Sequence, residues 1–176
     1  MNSRVPLAGT RRSVALAVKA FCGIHLCLHY GLEVHGTFGP SMLPTLNIAG
    51  DFCIVDKWRF NRGRNMKVGD LVVASKPGHP DTYILKRIIG MPGDIVLRDP
   101  LESRREFVKV PVGHIWIVGD NLPHSTDSRH YGPLPLGLVK GKALGTVYPA
   151  VRWFDNDDNG LTIPHKAPIA RGSTAP

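Results

Sequence analysis

The chain predicts an all-β domain, mostly antiparallel and built as a barrel or sandwich, behind an N-terminal membrane-anchor helix. Three observations predict it. From Val34 to about Ala150, short runs rich in β-branched residues are broken by Gly, Pro and Asp, the pattern of antiparallel strands joined by tight turns. No extended helical periodicity appears after residue 34. Before it, residues 13–32 read SVALAVKAFCGIHLCLHYGL, twenty mostly apolar residues in one stretch.

Residues 1–12 form a basic segment. Arg4, Arg11, Arg12 and, further on, Lys19 precede the first acid, Glu33, the charge bias of a membrane-oriented N-terminus. Residues 13–32 as one helix would be about 30 Å long and could just cross a bilayer. At 100° per residue Lys19, Cys22, His25 and His29 share one side, which is expected to face a partner helix rather than lipid. Cys27 points away from those three, so a tetrahedral metal site is not expected. A cleaved signal would end in small residues, whereas this run leads into HYGLEVHG; a retained anchor is the reading. Arg11–Arg12 are read as orientation charges rather than as a twin-arginine export signal.

Residues 33–150 hold the β-domain. The expected strands lie at 52–58, 70–75, 82–90, 94–99, 106–110, 114–119 and 141–149, with turn signals at Gly50-Asp51, Gly69-Asp70, Pro92-Gly93-Asp94 and Gly119-Asp120. At 176 residues, 43% of them hydrophobic, the chain suits one core plus appendages. Of three cysteines only Cys53 falls in this domain, so no disulfide framework holds it. The net charge of +8 suits nucleic acid or anionic lipid. The charged loops 59–67 and 100–106 carry no aromatic ladder, so they read as solvated surface and no nucleic-acid partner is expected. Residues 151–176 are polar, with Pro and Gly, and read as a disordered tail.

Three stretches carry more polar chemistry than a plain β-domain needs. In GPSMLPTL, Pro40 and Pro44 stiffen the loop around Ser41. The hydrolase elbow G-x-S-x-G is not met, because Leu43 stands at its second glycine. In YILKRIIGMPGD, Lys86 sits among apolar neighbours; burial disfavours its charged form and would make it a general base for Ser41. An exposed edge-strand lysine is the competing reading. In VGDNLPHSTDSRHYGP, Asp127 and Arg129 suggest an ion pair that fixes the loop, and a nearby serine could orient a lysine amine.

GPSMLPT, LKRIIGMPGD and GDNLPHSTDSRHYGP, in this order behind an apolar anchor, resemble the boxes of the type I signal peptidase family, peptidase S26, over about residues 10–150. The DSR-x-YGP ending and the short domain resemble its mitochondrial inner membrane branch. The resemblance implies Ser41 as nucleophile, Lys86 as general base and Ser125 as the residue that orients the lysine. It implies structural pairs between Asp127 and Arg129 and between Asp120 and Arg87. Some members carry a hydroxyl two positions before the nucleophile; here Gly39 stands there, so the backbone at Gly39 and Ser41 is expected to hold the oxyanion. It further implies a serine endopeptidase of the mitochondrial inner membrane facing the intermembrane space. That enzyme removes sorting sequences from precursor proteins, without a cofactor or metal, and works beside a second related subunit.

Other readings stay open. His35, His79, His114, His124 and His130 could support a Ser-His-Asp triad, with His124 and His130 flanking Ser125–Arg129 within the third stretch. A bacterial-type or endoplasmic-reticulum signal peptidase is the nearest alternative, and a self-cleaving Ser–Lys repressor another. An inactive membrane-tethered domain that only binds peptides is the alternative from a different class.

Overall fold

The computed structural model describes residues 7–26, 31–60 and 63–154. Helix α1 (Leu7–Leu26) comes first, then strands β1 (Leu32–Phe38), β2 (Ala49–Asp56), β3 (Leu71–Lys76), β4 (His79–Gly90), β5 (Ile95–Leu97), β6 (Phe107–Lys109) and β7 (His114–Val118). A one-turn helix α2 (Ser128–Tyr131) precedes β8 (Leu134–Pro135), β9 (Val139–Tyr148) and β10 (Arg152–Trp153). All pairings are antiparallel. Seven strands follow the order β1-β2-β9-β3-β4-β7-β8, β10 pairs with β9, and β5 and β6 form a separate ribbon.

The expectation of a mostly antiparallel β-domain therefore holds, but no pairing among the described residues closes the sheet into a barrel. β8 has only two residues and ends in Pro135, which has no N–H to extend a ladder. The helix also differs from the expected span. It begins at Leu7, six residues before position 13, while Leu32 already belongs to β1. Among the described residues no helix is long and apolar enough to cross a membrane. Arg11, Arg12 and Lys19 all lie on α1, and each charged residue opposes insertion. Cys27 and His29 lie outside the described residues, and so does the tail beyond Phe154. Of the segment expected as a tail from residue 151, Arg152–Trp153 form β10 and pair with β9.

β3 and β4 form a hairpin across Pro77-Gly78, with Gly78 at φ 79°. That turn lets β4 start at His79, earlier than the turn-rich PGHPD suggests. β3 is the central strand. Val72 and Ala74 enter one apolar cluster with Ile88, Ile115, Ile117, Leu134 and Val139. Leu71 enters a second with Met42, Leu46, Cys53 and Ala143. A third cluster, Val96, Val110, Trp116 and Val118, seats the β5–β6 ribbon. Each fully buried aliphatic side chain is worth roughly 1.5–3 kcal/mol. The second cluster matters most for function, because Met42 roots the serine loop in it.

Candidate active site

The serine loop is a short 3-10 turn, Pro40–Met42, that opens the connection from β1 to β2. Gly39 before it has φ 111°, a conformation open to glycine and strained for other residues. Its N–H donates to the Ile48 carbonyl at 2.7 Å. That bond removes Gly39 from the expected oxyanion donors. The Ser41 N–H, which the turn leaves without an acceptor among the described residues, is the donor that remains. Met42 is 4% and Leu46 2% exposed, so the loop is pinned by its apolar side chains while Ser41 stays half-buried above them.

β4 carries Lys86 to this loop. Register pairs Val72 with Lys86 and Leu71 with Arg87. Lys86, Arg87 and Ile88 are all buried, so both faces of β4 are covered at this level. Lys86 is 5% exposed, which sets aside the reading of it as a solvated edge residue. Lys86 Nζ donates to Ser41 Oγ at 2.8 Å and to the Leu85 carbonyl at 3.0 Å. Burial pushes the amine down to about 8, against the opposing pull of the Asp127 and Asp120 carboxylates.

Two buried ion pairs lie around the contact between Lys86 and Ser41. Arg87 donates through Nε and Nη2 to the two oxygens of Asp120 at 2.8 and 2.7 Å, and through Nη1 to the Gly69 carbonyl at 2.8 Å. Thr45, from the serine loop, donates its hydroxyl to Asp120 as well. The pair thus ties β4, the third stretch and the serine loop together. Arg129 Nε meets Asp127 Oδ1 at 2.9 Å, and its Nη2 reaches the Leu122 and Ser125 carbonyls at 2.6 and 3.2 Å. Asp127 also caps α2 and accepts the Gly119 N–H at 2.9 Å. Burial would raise the Asp127 carboxyl, but the Arg129 guanidinium and the Gly119 N–H hold it below its ordinary value.

Removing one partner of such a pair strands a buried charge. Arg87→Met is expected to lower stability by about 3–5 kcal/mol, read as the shift of the urea midpoint at unchanged slope. A loss under about 1 kcal/mol would show the pair to be no brace.

Ser125 is buried, 6% exposed, and its hydroxyl makes no hydrogen bond to Lys86, unlike the expected orienting contact. It lies near enough to Asp127 to help hold that carboxyl low, without reaching full hydrogen-bond geometry. Sequence reasoning passed over three residues here. Thr45 anchors Asp120; Gly119 leaves room where a Cβ would lie 2.2 Å from Ser125 Oγ and 2.5 Å from the Ser41 carbonyl; Asn121 bonds the serine turn. All three fall inside the quoted stretches, and only their side-chain roles were hidden.

The histidines stand apart. His114 contacts the Val112 carbonyl, His124 faces Asn121 Oδ1 at 3.5 Å, and His130 sits beside the Asp127 backbone. Ser41 Oγ is met by Lys86 instead. Burial pushes the Cys53 thiol up to about 11, which keeps it unreactive. Beside the serine loop an open cleft of about 560 Å³ is lined by Leu43, Pro44, Leu101, Asp120, Asn121, Leu122 and Pro123.

A family model described as signal peptidase, peptidase S26, matches residues 11–101 and 98–148. The chain belongs to that family, and it is a signal-type peptidase. Among its relatives, the mitochondrial inner membrane protease subunit 1 of Schizosaccharomyces pombe is 41% identical over 157 residues, spanning 89% of this chain and 99% of the relative. The mitochondrial inner membrane protease subunit 1 of Saccharomyces cerevisiae is 43% identical over 146 residues, 76% of each chain. A solved signal peptidase I from Enterococcus faecalis aligns with a TM-score of 0.39 and 21% identity over 45% of this chain and 97% of that one.

Proposed function

We propose that the chain is a membrane-bound serine endopeptidase in which Ser41 is the nucleophile and Lys86 the general base. The observation that carries this reading is the 2.8 Å contact between Ser41 Oγ and a buried amine pushed down to about 8. With the amine neutral, the contact reverses and Ser41 O–H donates to the Nζ lone pair. Ser41 Oγ then bonds to the scissile carbonyl carbon while its proton passes to Lys86. The oxyanion is met by the Ser41 N–H. Lys86 returns the proton to the leaving nitrogen as the C–N bond breaks, and the acyl-enzyme remains. A water repeats the sequence, its proton taken by Lys86 and its oxygen displacing Ser41. During that second half Ser41 no longer carries a proton for Lys86, and the Leu85 carbonyl, at 3.0 Å from Nζ, is the contact that keeps the amine in place.

The substrates are extended segments of precursor proteins, bound alongside a strand, from which sorting or signal sequences are removed. The relatives' names support a place in the mitochondrial inner membrane and a second related subunit as partner. The exposed Leu16, Val18, Phe21 and Ile24 of α1 support attachment of the N-terminus to the membrane, with the β-domain on the intermembrane-space side.

The pH profile tests the base. Only the deprotonated amine accepts a proton, so kcat/KM is expected to be flat above about 8 and to fall about tenfold per pH unit below it. An activity highest in acid, or one that follows a histidine-like midpoint near about 6.5, would remove Lys86 from that role.

A further inference from the structure

Asn121 grips the serine turn from both sides. Its side-chain Nδ2 donates to the Pro40 carbonyl at 3.0 Å, across a separation of 81 residues. Its backbone N–H donates to the Ser41 carbonyl, also at 3.0 Å. The orientation of its amide follows from chemistry: a carbonyl only accepts, so the NH₂ must face Pro40, and Oδ1 is turned to His124. The other bond to the Pro40 carbonyl comes from Leu43 N–H at 3.2 Å, inside the turn itself.

The Pro40 carbonyl and the Ser41 N–H belong to one rigid peptide plane. Its bond is trans, the cis bonds among the described residues being Leu43–Pro44 and Tyr148–Pro149, so the two groups point in opposite directions. Whatever fixes the carbonyl aims the N–H. The plane can turn only about the Pro40 Cα–C and Ser41 N–Cα bonds on either side of it, and Gly39 upstream offers no hydroxyl to the oxyanion. We infer that Asn121 is a positioning residue for the oxyanion donor: by holding the Pro40 carbonyl it aims the Ser41 N–H at the developing negative charge. This rests on the assignment of Ser41 and Lys86 as nucleophile and base.

The test uses the full chain in its membrane complex with Asn121→Leu and Asn121→Ala, both of which keep the backbone bond to the Ser41 carbonyl. Five quantities are read: kcat, KM, the pH midpoint, the melting temperature, and the affinity of a peptide aldehyde, whose hemiacetal oxygen occupies the place of the oxyanion. The expected result is a fall in kcat of about 10–100-fold, less than the 10²–10³ typical when a donor is lost outright. KM stays within about twofold. Aldehyde affinity weakens by the same factor as kcat, and the pH midpoint does not move. A wild-type kcat overturns the inference. So does a lower kcat with unchanged aldehyde affinity, or a loss that simply follows a lower melting temperature. Ser41→Ala and Lys86→Met run in parallel separate the two readings. If those variants still cleave, the dyad is wrong; if they are dead while the Asn121 variants behave as wild type, only the aim of the N–H is wrong.

Discussion

Lys86→Met is expected to abolish precursor cleavage, by about 10⁴-fold in kcat, with the domain still folded. Ser41→Ala should do the same, and the double variant should be no worse than either, because the two groups act as one unit and their losses do not add. Long endpoint cleavage of a precursor, followed by mass spectrometry of the product, reads this directly. Retained cleavage in either single variant sinks the dyad. A second readout comes with it. The folded chain holds Lys86 down at about 8, against an unfolded value near about 10.4. The unfolded chain therefore binds more protons between those values, and stability rises with pH across that window. At pH 7 both states are protonated and the full disadvantage of the buried charge is present. Met carries none of it, so Lys86→Met should be more stable at pH 7 by roughly 1–3 kcal/mol while inactive.

Gly119→Ala is expected to cost at least about 10²-fold in kcat. An added Cβ would lie 2.5 Å from the Ser41 carbonyl oxygen, 2.2 Å from Ser125 Oγ and 2.6 Å from Ser125 Cβ. A backbone oxygen cannot rotate out of the way, and Gly119 itself is tethered through its N–H to Asp127. The serine loop must shift, and a displacement of about 1 Å is worth about 10²-fold in rate. The same overpacking should destabilise the fold by about 1–3 kcal/mol. Gly137→Ala is the control, because a Cβ there meets nothing within 4 Å; its activity should stay within about twofold. Equal activity in the two alanine variants would refute the close approach at Gly119.

The strands were legible where β-branched runs end in Gly or Asp, as at β2, β3 and β7. They were less so where local signals conflict. β1, LEVHGTF, alternates only between half-buried and exposed side chains and carries a glycine, so its pairing with β2, not its composition, makes it a strand. β8 and β10 have two residues each, too few for any period to show. The helix does not follow the apolar span 13–32, because an apolar run says nothing about where a neighbouring strand begins pairing; Leu32 pairs with Asp56 across the sheet.

Within the site, the residue types and their three stretches were present in the order of the chain, and the resemblance to peptidase S26 rested on them, on the apolar run before them and on the short domain. The bracing of Arg87 by Asp120 and of Arg129 by Asp127 has its counterpart in the fold as two buried ion pairs. Other features depend on segments distant in the chain meeting in space. They are the bond from Lys86 to Ser41, 45 residues apart, the withdrawal of the Gly39 N–H to Ile48, the unpaired Ser125 hydroxyl and the grip of Asn121 on the serine turn. Sequence by itself determined which functional groups this protein has and that they lie on short strands and stiff turns, because periodicity and proline act locally. Tertiary structure alone decided which of them touch and which are dry, since burial and hydrogen-bond partners are set by the register of strands far apart in the chain.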